Sequence, residues 1–353
     1  MRGDTMRIAQ VAPLIESVPP KYYGGTERVV SYLTEELVGR GHEVTLFASG
    51  DSTTKARLVA GCRRALRLDR HCVDPMAHHV LMLEHVAQRV RDFEVIHYHL
   101  DYLHYSLSRR HDVPQLTTLH GRLDIPDLEP LYREFSDMPV VSISMSQRNP
   151  LPGARWIGNV YHGLPIEQFH YSETPGAYMA FLGRISPEKR VDRAIEIARQ
   201  VGLPLKIAAK VDKVDRDYFE TCIRPQIRGP QVEYLGEIGN DEKDEFLGHA
   251  CVLLFPIAWE EPFGLAMIES LACGTPVIAF RRGSVAEVIE DGRSGFIVED
   301  LAGAVQAIAK VPTLSRRECR MVFEERFTAV RMADEYLRLY HLLADRQRMA
   351  DAG

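Results

Sequence analysis

The chain has 353 residues, 45% hydrophobic and 26% charged, which suits two globular domains of ordinary composition. Its net charge of −6 argues against a general nucleic-acid-binding protein, and no apolar run approaches the roughly 18 residues of a membrane span. Six scattered cysteines without a CxxC pair, and N-terminal residues without a signal-peptide apolar region, lead us to expect a cytoplasmic protein.

Apolar runs and helix-periodic segments alternate from the N-terminus onward, beginning with a predicted strand at Met6–Ala12. A helix is predicted over Thr26–Arg40, because apolar residues recur on one stripe and Gly41 can end it. Five more strands are predicted in this half of the chain, at Glu43–Ala48, Val95–His99, Gln115–Leu119, Pro139–Ser144 and Arg155–Tyr161. Such alternation predicts a parallel sheet with crossover helices.

A second series follows the loop His162–Gly176. Its predicted strands are Tyr178–Leu182, Leu205–Ala209, Val232–Leu235, Val252–Phe255, Pro276–Phe280 and Gly295–Val298. The predicted helices between them are Val191–Val201, Asp217–Gln226, Asp241–His249, Gly264–Cys273 and Val285–Ile289, with Leu301–Val311 and Thr328–Ala344 at the end. We therefore predict two doubly wound α/β domains, residues 1–165 and residues 166–327.

Glycine, histidine and charged residues follow the predicted strands at their carboxyl ends, where open α/β sheets bind ligands. Gly24 and Gly25 precede a helix, so their backbone could approach a phosphate at the positive helix end. Arg184 and Lys189 follow one strand and could neutralise a diphosphate without a metal ion. Taken singly, each of these features equally fits a flexible turn or a basic surface loop.

The segment from Glu261 to Glu269 carries a stronger signal. Its helix is apolar on nearly every side, which indicates burial, so the Glu269 carboxylate needs a partner. Pro262 suits a first helical turn, which would place Glu261 on the same helix, about 12 Å along the axis and within about 80° of Glu269. The two carboxylates could bind the two ends of an extended ligand. The alternative is an N-terminal acid plus one salt-bridged glutamate.

Taken in this order, these segments resemble glycosyltransferase family four, whose members are retaining enzymes of GT-B fold. The matching segments are Gly24–Gly25, Thr117–Gly121, Phe181–Lys189, the paired glutamates Glu261 and Glu269, Gly274–Ala279 and Asp291–Phe296. Two positions depart from the family pattern. Arg190 stands where the family often has glycine, and His162-Gly163-Leu164-Pro165 stands where it often has Asn-Gly-Val-Asp.

The resemblance implies two Rossmann-like domains facing across a cleft, with a C-terminal helix at about 328–353 packing back on the first domain. It implies that Arg184 and Lys189 bind the donor diphosphate, that Glu269 binds the ribose, and that Glu261 holds the transferred sugar. The remaining positions that it implies are Lys210 at the phosphates, the amides of Phe263, Gly264 and Leu265 at the sugar, Gly24 and Gly25 near the phosphates, and His120 beside the reacting sugar.

The predicted function is the transfer of a hexose, with retention, from a nucleotide diphosphate sugar to a small-molecule, glycan or glycolipid hydroxyl. A UDP-sugar is favoured, and neither a metal ion nor another cofactor is expected. His97 and His99 share one strand face and could supply two metal ligands, but no third is evident. The basic residues Arg63, Arg64, Arg67 and Arg70 could contact anionic lipid or an anionic acceptor, but a solvated loop is favoured. Membrane contact is expected to be at most peripheral.

Three alternatives stay open. The first is an epimerase of the same fold, which would bind a nucleotide sugar without an acceptor. The second is a catalytically inactive nucleotide-sugar-binding protein. The third is a nicotinamide-dependent oxidoreductase, which would require a GxGxxG turn that Gly24-Gly25 does not supply.

Overall fold

A computed structural model describes residues 5–227 and 229–351. The chain divides into two compact units: unit 1 comprises Met1–Gly163 and Ala329–Gly353, and unit 2 comprises Leu164–Thr328. Residues 1–4 of the predicted first domain lie outside the described residues. The same holds for residues 352–353 of the predicted C-terminal helix.

Unit 1 is built on one sheet of seven parallel strands. They are β1 (Arg7–Val11), β2 (Glu43–Ser49), β3 (Arg57–Cys62), β4 (Val95–Tyr98), β5 (Gln115–Thr118), β6 (Pro139–Ser142) and β7 (Arg155–Asn159), in the spatial order β3-β2-β1-β4-β5-β6-β7. The helices are α1 (Gly25–Gly39), α2 (Pro75–Ala87), α3 (Tyr105–Ser108), α4 (Leu128–Glu134) and the C-terminal α12 (Ala329–Asp351). The strand order reverses direction between β1 and β4, which creates a crevice at their carboxyl ends.

Four elements of unit 1, namely β3, α2, α3 and α4, were absent from the sequence-based assignment. The edge strand β3 has no fully buried residue, and its apolar run is only three residues long, Leu58–Ala60, between Arg57 and Gly61. Helix α2 has a regular start: Asp74 accepts a hydrogen bond from the Met76 amide at 2.9 Å, and Pro75 is its first residue. The sequence therefore marks the start of α2 with Asp74 and Pro75.

Unit 2 is built on a second parallel sheet, of six strands. They are β8 (Tyr178–Arg184), β9 (Leu205–Lys210), β10 (Val232–Gly236), β11 (Ala250–Phe255), β12 (Val277–Phe280) and β13 (Gly295–Val298), in the order β10-β9-β8-β11-β12-β13. The helices are α5 (Val191–Val201), α6 (Arg216–Tyr218), α7 (Asn240–Gly248), α8 (Leu265–Ala272), α9 (Val285–Val288), α10 (Leu301–Lys310) and α11 (Arg316–Arg326). The strand order reverses between β8 and β11.

The predicted regular helix at Asp217–Gln226 is wrong in detail. The α-helical turn α6 widens into a π-helical segment at Phe219–Ile223 and then tightens into a 3₁₀ turn at Arg224–Gln226. Pro225 explains the change, because it has no N–H to donate and its ring would collide with the carbonyl one α-helical turn earlier.

Each sheet is covered by apolar side chains on both faces, as parallel sheets require. In unit 2, fully buried residues of α5, such as Ala194 and Ile195, join those of β8 and β9, such as Met179 and Ile207, in one core. In unit 1, helix α12 packs against α1 and β4, and it buries Tyr336 and Tyr340 completely. Among the described residues, no helix combines the length and the apolar composition needed to cross a lipid bilayer.

Candidate active site

The loop after β8 positions the first two basic residues. Arg184 is the last residue of β8, and the following Ile185 amide donates to the Lys210 carbonyl at the end of β9 at 2.8 Å. A tight turn, in which the Lys189 amide donates to the Ser186 carbonyl at 3.1 Å, then returns the chain to α5. The two basic side chains therefore lie at the carboxyl edge of the central strands, where doubly wound sheets bind ligands.

Arg190, which replaces the glycine common in the family, adopts the left-handed conformation with φ of 54° just before α5. For a residue other than glycine this conformation costs about 1–2 kcal/mol. The guanidinium hydrogen-bonds the Asp192 carboxylate at 2.7 Å, which helps to hold this arginine in place.

Carboxylates surround the basic residues of this edge. Arg184 forms an ion pair with Glu188 and lies 3.6 Å from Asp212 and 3.7 Å from Asp215, measured between charged atoms. Lys210 lies 3.0 Å from the same Asp212. Burial alone would raise the pKa of Glu188, but hydrogen bonds, including that from Arg184, bring it below the usual value. Burial raises the pKa of Asp215, which Arg184 partly opposes.

Lys189 contacts Glu261 directly. Its ammonium group donates to Oε2 of Glu261, and the indole N–H of Trp259 donates to the same oxygen at 3.0 Å. The ammonium also lies 4.9 Å from the Trp259 ring centre, a cation–π geometry. Both charged side chains are largely buried, with 14% and 9% of their surface exposed. Trp259 was not among the predicted site residues, although it stands two positions before Glu261.

The predicted helical placement of Glu261 is wrong. Helix α8 begins at Leu265, and Gly264 before it takes a left-handed conformation with φ of 82°. Pro262 and Glu261 therefore lie in the preceding loop, and the distance and angle expected from a continuous helix do not apply. The backbone N–H groups of Gly264 and Leu265 have no hydrogen-bond acceptor among the described residues, so they are available to a ligand at the start of the helix.

A neighbouring loop at Gly283 and Ser284 forms hydrogen bonds with the segment around Glu261. The Gly283 amide donates to the Glu260 carboxylate at 2.6 Å, and the Ser284 amide donates to the Glu261 carbonyl at 2.9 Å. The Ser284 hydroxyl donates to the Phe263 carbonyl at 2.8 Å. Gly283 has φ of 53°, and a Cβ there would lie 2.3 Å from the Glu261 carbonyl oxygen. Only glycine allows this close approach.

Glu269 has the buried partner that its apolar surroundings require. It lies on α8 with only 2% of its surface exposed, and Lys243 of α7 donates to its Oε1 at 2.9 Å. Both members of the glutamate pair are thus held by lysines. The ion pair of Glu269 is the salt bridge that the alternative for this pair expected, whereas Glu261 is not the acid of a first helical turn. Lys243 was not among the predicted site residues, because nothing in the sequence indicates that α7 packs on α8.

In unit 1, Gly25 is the first residue of α1 and Gly24 precedes it in an extended conformation. A Cβ on Gly24 would lie 2.8 Å from the Cβ of Pro20, so the loop before α1 packs closely there. His120 follows β5, and its Nε2 lies 2.9 Å from Nδ1 of His99, while its ring stacks on His162. Burial lowers the pKa of His120 to about 3, so the ring is neutral at physiological pH.

His97 and His99, the two candidate metal ligands, and the nearby His104 hydrogen-bond other side chains. His97 hydrogen-bonds Tyr340 and Thr118, and His104 hydrogen-bonds Ser108 and Thr117, at distances between 2.7 and 2.9 Å. In the described part of the chain, no group of three or more His, Cys, Asp or Glu side chains has the arrangement of a metal site.

Unit 2 therefore brings Lys189 and Glu261 into contact and joins Arg184 to Lys210 through Asp212. It also places Phe263 and Gly264 between Glu261 and the helix that carries Glu269, which begins at Leu265. Unit 1 holds Gly24, Gly25 and His120 at the carboxyl ends of its own strands.

Two family descriptions match successive parts of the chain: Glycosyltransferase Family 4 over residues 23–157 and Glycosyl transferases group 1 over residues 166–322. The chain belongs to this glycosyltransferase family. Its resemblance to the family four enzymes is thereby confirmed, as is the prediction that it is an enzyme that transfers a sugar.

Among its relatives, this glycosyltransferase is 28% identical over 140 residues to an uncharacterized glycosyltransferase of Methanocaldococcus jannaschii, covering 40% of this chain and 38% of the relative. It is 24% identical to a glycogen synthase of Mycobacterium tuberculosis, covering 86% of each chain. The first of these matches spans less than half of that relative's length.

Solved structures agree with the predicted GT-B fold. Sucrose-phosphate synthase of Thermosynechococcus elongatus matches with a TM-score of 0.78 and 18% identity, over 96% of this glycosyltransferase and 99% of that chain. Anabaena HepE, in complex with UDP and glucose, matches with a TM-score of 0.76 and 16% identity, over 96% and 100%. These likenesses establish the two-domain α/β fold.

Proposed function

We propose that this glycosyltransferase moves a hexose from a UDP-sugar to a hydroxyl group of a small molecule, glycan or glycolipid, with retention of configuration and without a metal ion. The observation that carries the proposal is the cluster of Arg184, Lys189 and Lys210 at one sheet edge of unit 2, beside the loop and helix that carry Glu261 and Glu269. The UDP in the related HepE structure supports the choice of donor.

The basic residues would bind the diphosphate and stabilise it as it leaves. Departure of UDP builds negative charge on the phosphate oxygens, so fixed cations act more strongly in the transition state than in the ground state. Arg184, Lys189 and Lys210 are each paired with a carboxylate. We propose that the phosphates take over part of these pairings, and that the carboxylates keep the cations in position before the donor binds.

Glu261 and the free amides at the start of α8 would hold the transferred sugar. The side chain of Glu261 is anchored by Lys189 and Trp259, while the N–H groups of Gly264 and Leu265 have no acceptor in the described structure. Together with the amide of Phe263, these groups can bind hydroxyls of a sugar that develops oxocarbenium character. Glu269, oriented by Lys243, would bind the ribose hydroxyls through its other oxygen.

For unit 1, we propose that Gly24 and Gly25 allow α1 to approach the phosphates and that His120 hydrogen-bonds a hydroxyl of the reacting sugar. Helix α1 starts at Gly25, so its first N–H groups have no acceptors within the helix. We propose a cytoplasmic location as well, since the six cysteines are free thiols suited to a reducing compartment.

The donor pocket can be tested with three single substitutions. Arg184→Ala and Lys189→Met should each weaken UDP binding by about 1.5–3 kcal/mol, or roughly tenfold to a hundredfold, because each removes a charge-assisted contact. Lys206→Ala is the matched control, since Lys206 lies in β9 of the same unit but pairs with Glu233, away from the predicted site. Calorimetric titration with UDP gives the affinities, and melting temperatures show whether each variant is folded.

Unchanged UDP affinity in both site variants would contradict the proposed pocket. An equal loss of affinity in the Lys206→Ala variant would show that any loss of positive charge weakens binding, and would count against specific contacts. Turnover is then measured with UDP-glucose and a panel of acceptors. Release of free sugar or of an epimer without an acceptor would favour a different reaction on the same donor.

A further inference from the structure

A continuous chain of hydrogen bonds runs through the sheet of unit 1 and ends at His120. From His120 Nε2 it passes to His99 Nδ1 at 2.9 Å, and from His99 Nε2 to the side-chain carbonyl of Gln10 at 2.8 Å. The Gln10 amide then donates to the Tyr340 hydroxyl of α12 at 2.9 Å. Gln10, His99 and Tyr340 are each at least 97% buried.

Beyond Tyr340 the chain of hydrogen bonds continues through three further buried side chains, those of His97, Thr118 and Tyr336. The Tyr340 hydroxyl lies 2.7 Å from Nδ1 of His97, whose Nε2 lies 2.7 Å from the Thr118 hydroxyl. Thr118 in turn lies 2.8 Å from the hydroxyl of Tyr336. The strands β1, β4 and β5 and the helix α12 each contribute to this chain, so the C-terminal helix takes part in its geometry.

The hydrogens in such a chain must all point the same way. Each buried imidazole is neutral, because burial lowers the pKa values of His97, His99 and His120, and a neutral imidazole has one N–H and one lone pair. The Gln10 side chain removes the ambiguity of direction, since its carbonyl can only accept and its amide can only donate. With the carbonyl facing His99, that ring must carry its hydrogen on Nε2, and its Nδ1 must accept.

His120 must then donate from Nε2, which leaves a lone pair on Nδ1. That Nδ1 atom is buried and has no hydrogen-bond partner among the residues that the structure describes. A buried acceptor without a partner is costly, so it is expected to be satisfied by a ligand. A sugar hydroxyl, which can donate, matches this requirement.

We propose that Gln10 and His99 are positioning residues that hold His120 as its Nε2–H tautomer, so that Nδ1 accepts a hydrogen bond from a hydroxyl of the bound sugar. The inference rests on the proposed function for the identity of the hydroxyl, but the tautomer itself depends only on the hydrogen-bond chain. If the Gln10 amide were reversed, every hydrogen in the chain would reverse and His120 would present a donor instead.

The tautomer is measured directly on the full chain labelled with ¹⁵N-histidine. Long-range ¹H–¹⁵N correlation spectra distinguish a protonated from an unprotonated ring nitrogen, and loss of one signal set in His120→Asn assigns His120. We expect Nε2 protonated and Nδ1 bare, with the Nδ1 signal shifting when UDP-glucose is added. A hydrogen on Nδ1 in the unsubstituted protein would overturn the inference.

The Gln10→Met variant tests the positioning role. It removes the group that sets the direction of the chain, so the other His120 tautomer should become detectable, and kcat should fall at least about tenfold while the KM for donor changes less than about threefold. The control is His104→Asn, which removes an equally buried histidine whose ring hydrogen-bonds Ser108 and Thr117. It should leave the His120 tautomer and kcat nearly unchanged.

Melting temperatures of both variants separate lost positioning from lost folding. An unchanged kcat in folded Gln10→Met, or an equal loss of kcat in His104→Asn, would refute the positioning role. If the chain transfers no sugar from any nucleotide donor, the proposed function fails while the spectra still decide the tautomer. If it is active but His120 is protonated at Nδ1, only the present inference fails.

Discussion

Acid should destabilise unit 1 far more than unit 2, because unit 1 buries neutral histidines. His97, His99, His104 and His162 are each at most 3% exposed, and burial lowers the pKa of each well below the usual 6.5. In the unfolded chain these rings regain their usual pKa and take up protons below about pH 6.5. The unfolded state then binds more protons than the folded state, so stability falls as the pH decreases through 6.5.

The magnitude follows from linkage. At pH 5.5, one unit below the unfolded pKa, each histidine that stays neutral in the folded state lowers the free energy of unfolding by about 1.4 kcal/mol. The four together lower it by at most about 6 kcal/mol, which is comparable with the whole stability of many domains, about 5–15 kcal/mol. Above about pH 7.5 the effect should vanish, because the histidines are then neutral in both states.

The two tryptophans allow the units to be followed separately. Trp156 lies in unit 1 and Trp259 in unit 2, and the chain has no others. Urea unfolding is monitored by fluorescence at pH 7.5, 6.5 and 5.5, with Trp259→Phe reporting unit 1 and Trp156→Phe reporting unit 2. The unit 1 midpoint should fall steeply between pH 6.5 and 5.5, while the unit 2 midpoint should change little.

Substituting one of the histidines provides the control. His104→Asn removes one proton-binding site, so the loss of unit 1 stability between pH 7.5 and 5.5 should shrink by about 1.4 kcal/mol. A unit 1 midpoint that does not depend on pH in this range would show that the buried histidines do not stay neutral. Equal losses in both units would place the cause outside these four side chains.

Three further outcomes are expected. Transfer should continue in EDTA, since basic side chains and helix amides oppose the donor charge, and loss of turnover that Mn²⁺ or Mg²⁺ restores would contradict this. Lys243→Met should lower the free energy of unfolding of unit 2 by about 3–5 kcal/mol, because it leaves Glu269 buried and unpaired. Adding Glu269→Gln should recover most of that loss in urea titrations, and no recovery would refute the explanation. Gly283→Ala should raise the donor KM about tenfold or more, because the added Cβ would displace Glu261. Gly292→Ala is the control and should leave this KM unchanged. Gly292 also has a positive φ, but no described atom lies within 4 Å of the position of its Cβ.

Local patterns in the sequence determined most of the architecture. In the part of the chain that the structure describes, twelve of thirteen strands were predicted. The central strands among them are buried on both faces of a parallel sheet and therefore read as short apolar runs. The exception is the edge strand β3, whose apolar run is only three residues long, Leu58–Ala60. The need of Glu269 for a partner also followed from the sequence, since a carboxylate in an apolar helix cannot remain unpaired.

Tertiary structure alone decided which groups meet. Lys243 contacts Glu269 across 26 positions, and Gln10 contacts Tyr340 across 330, distances over which local sequence carries no pairing information. The left-handed turn at Gly264 separates Glu261 from helix α8, and Ser284, some 20 positions further along the chain, hydrogen-bonds the backbone just before that turn. Residue types thus indicated the sheet edges at which the site groups lie, whereas packing between distant segments decided their partners, their orientation and the tautomer that we infer for His120.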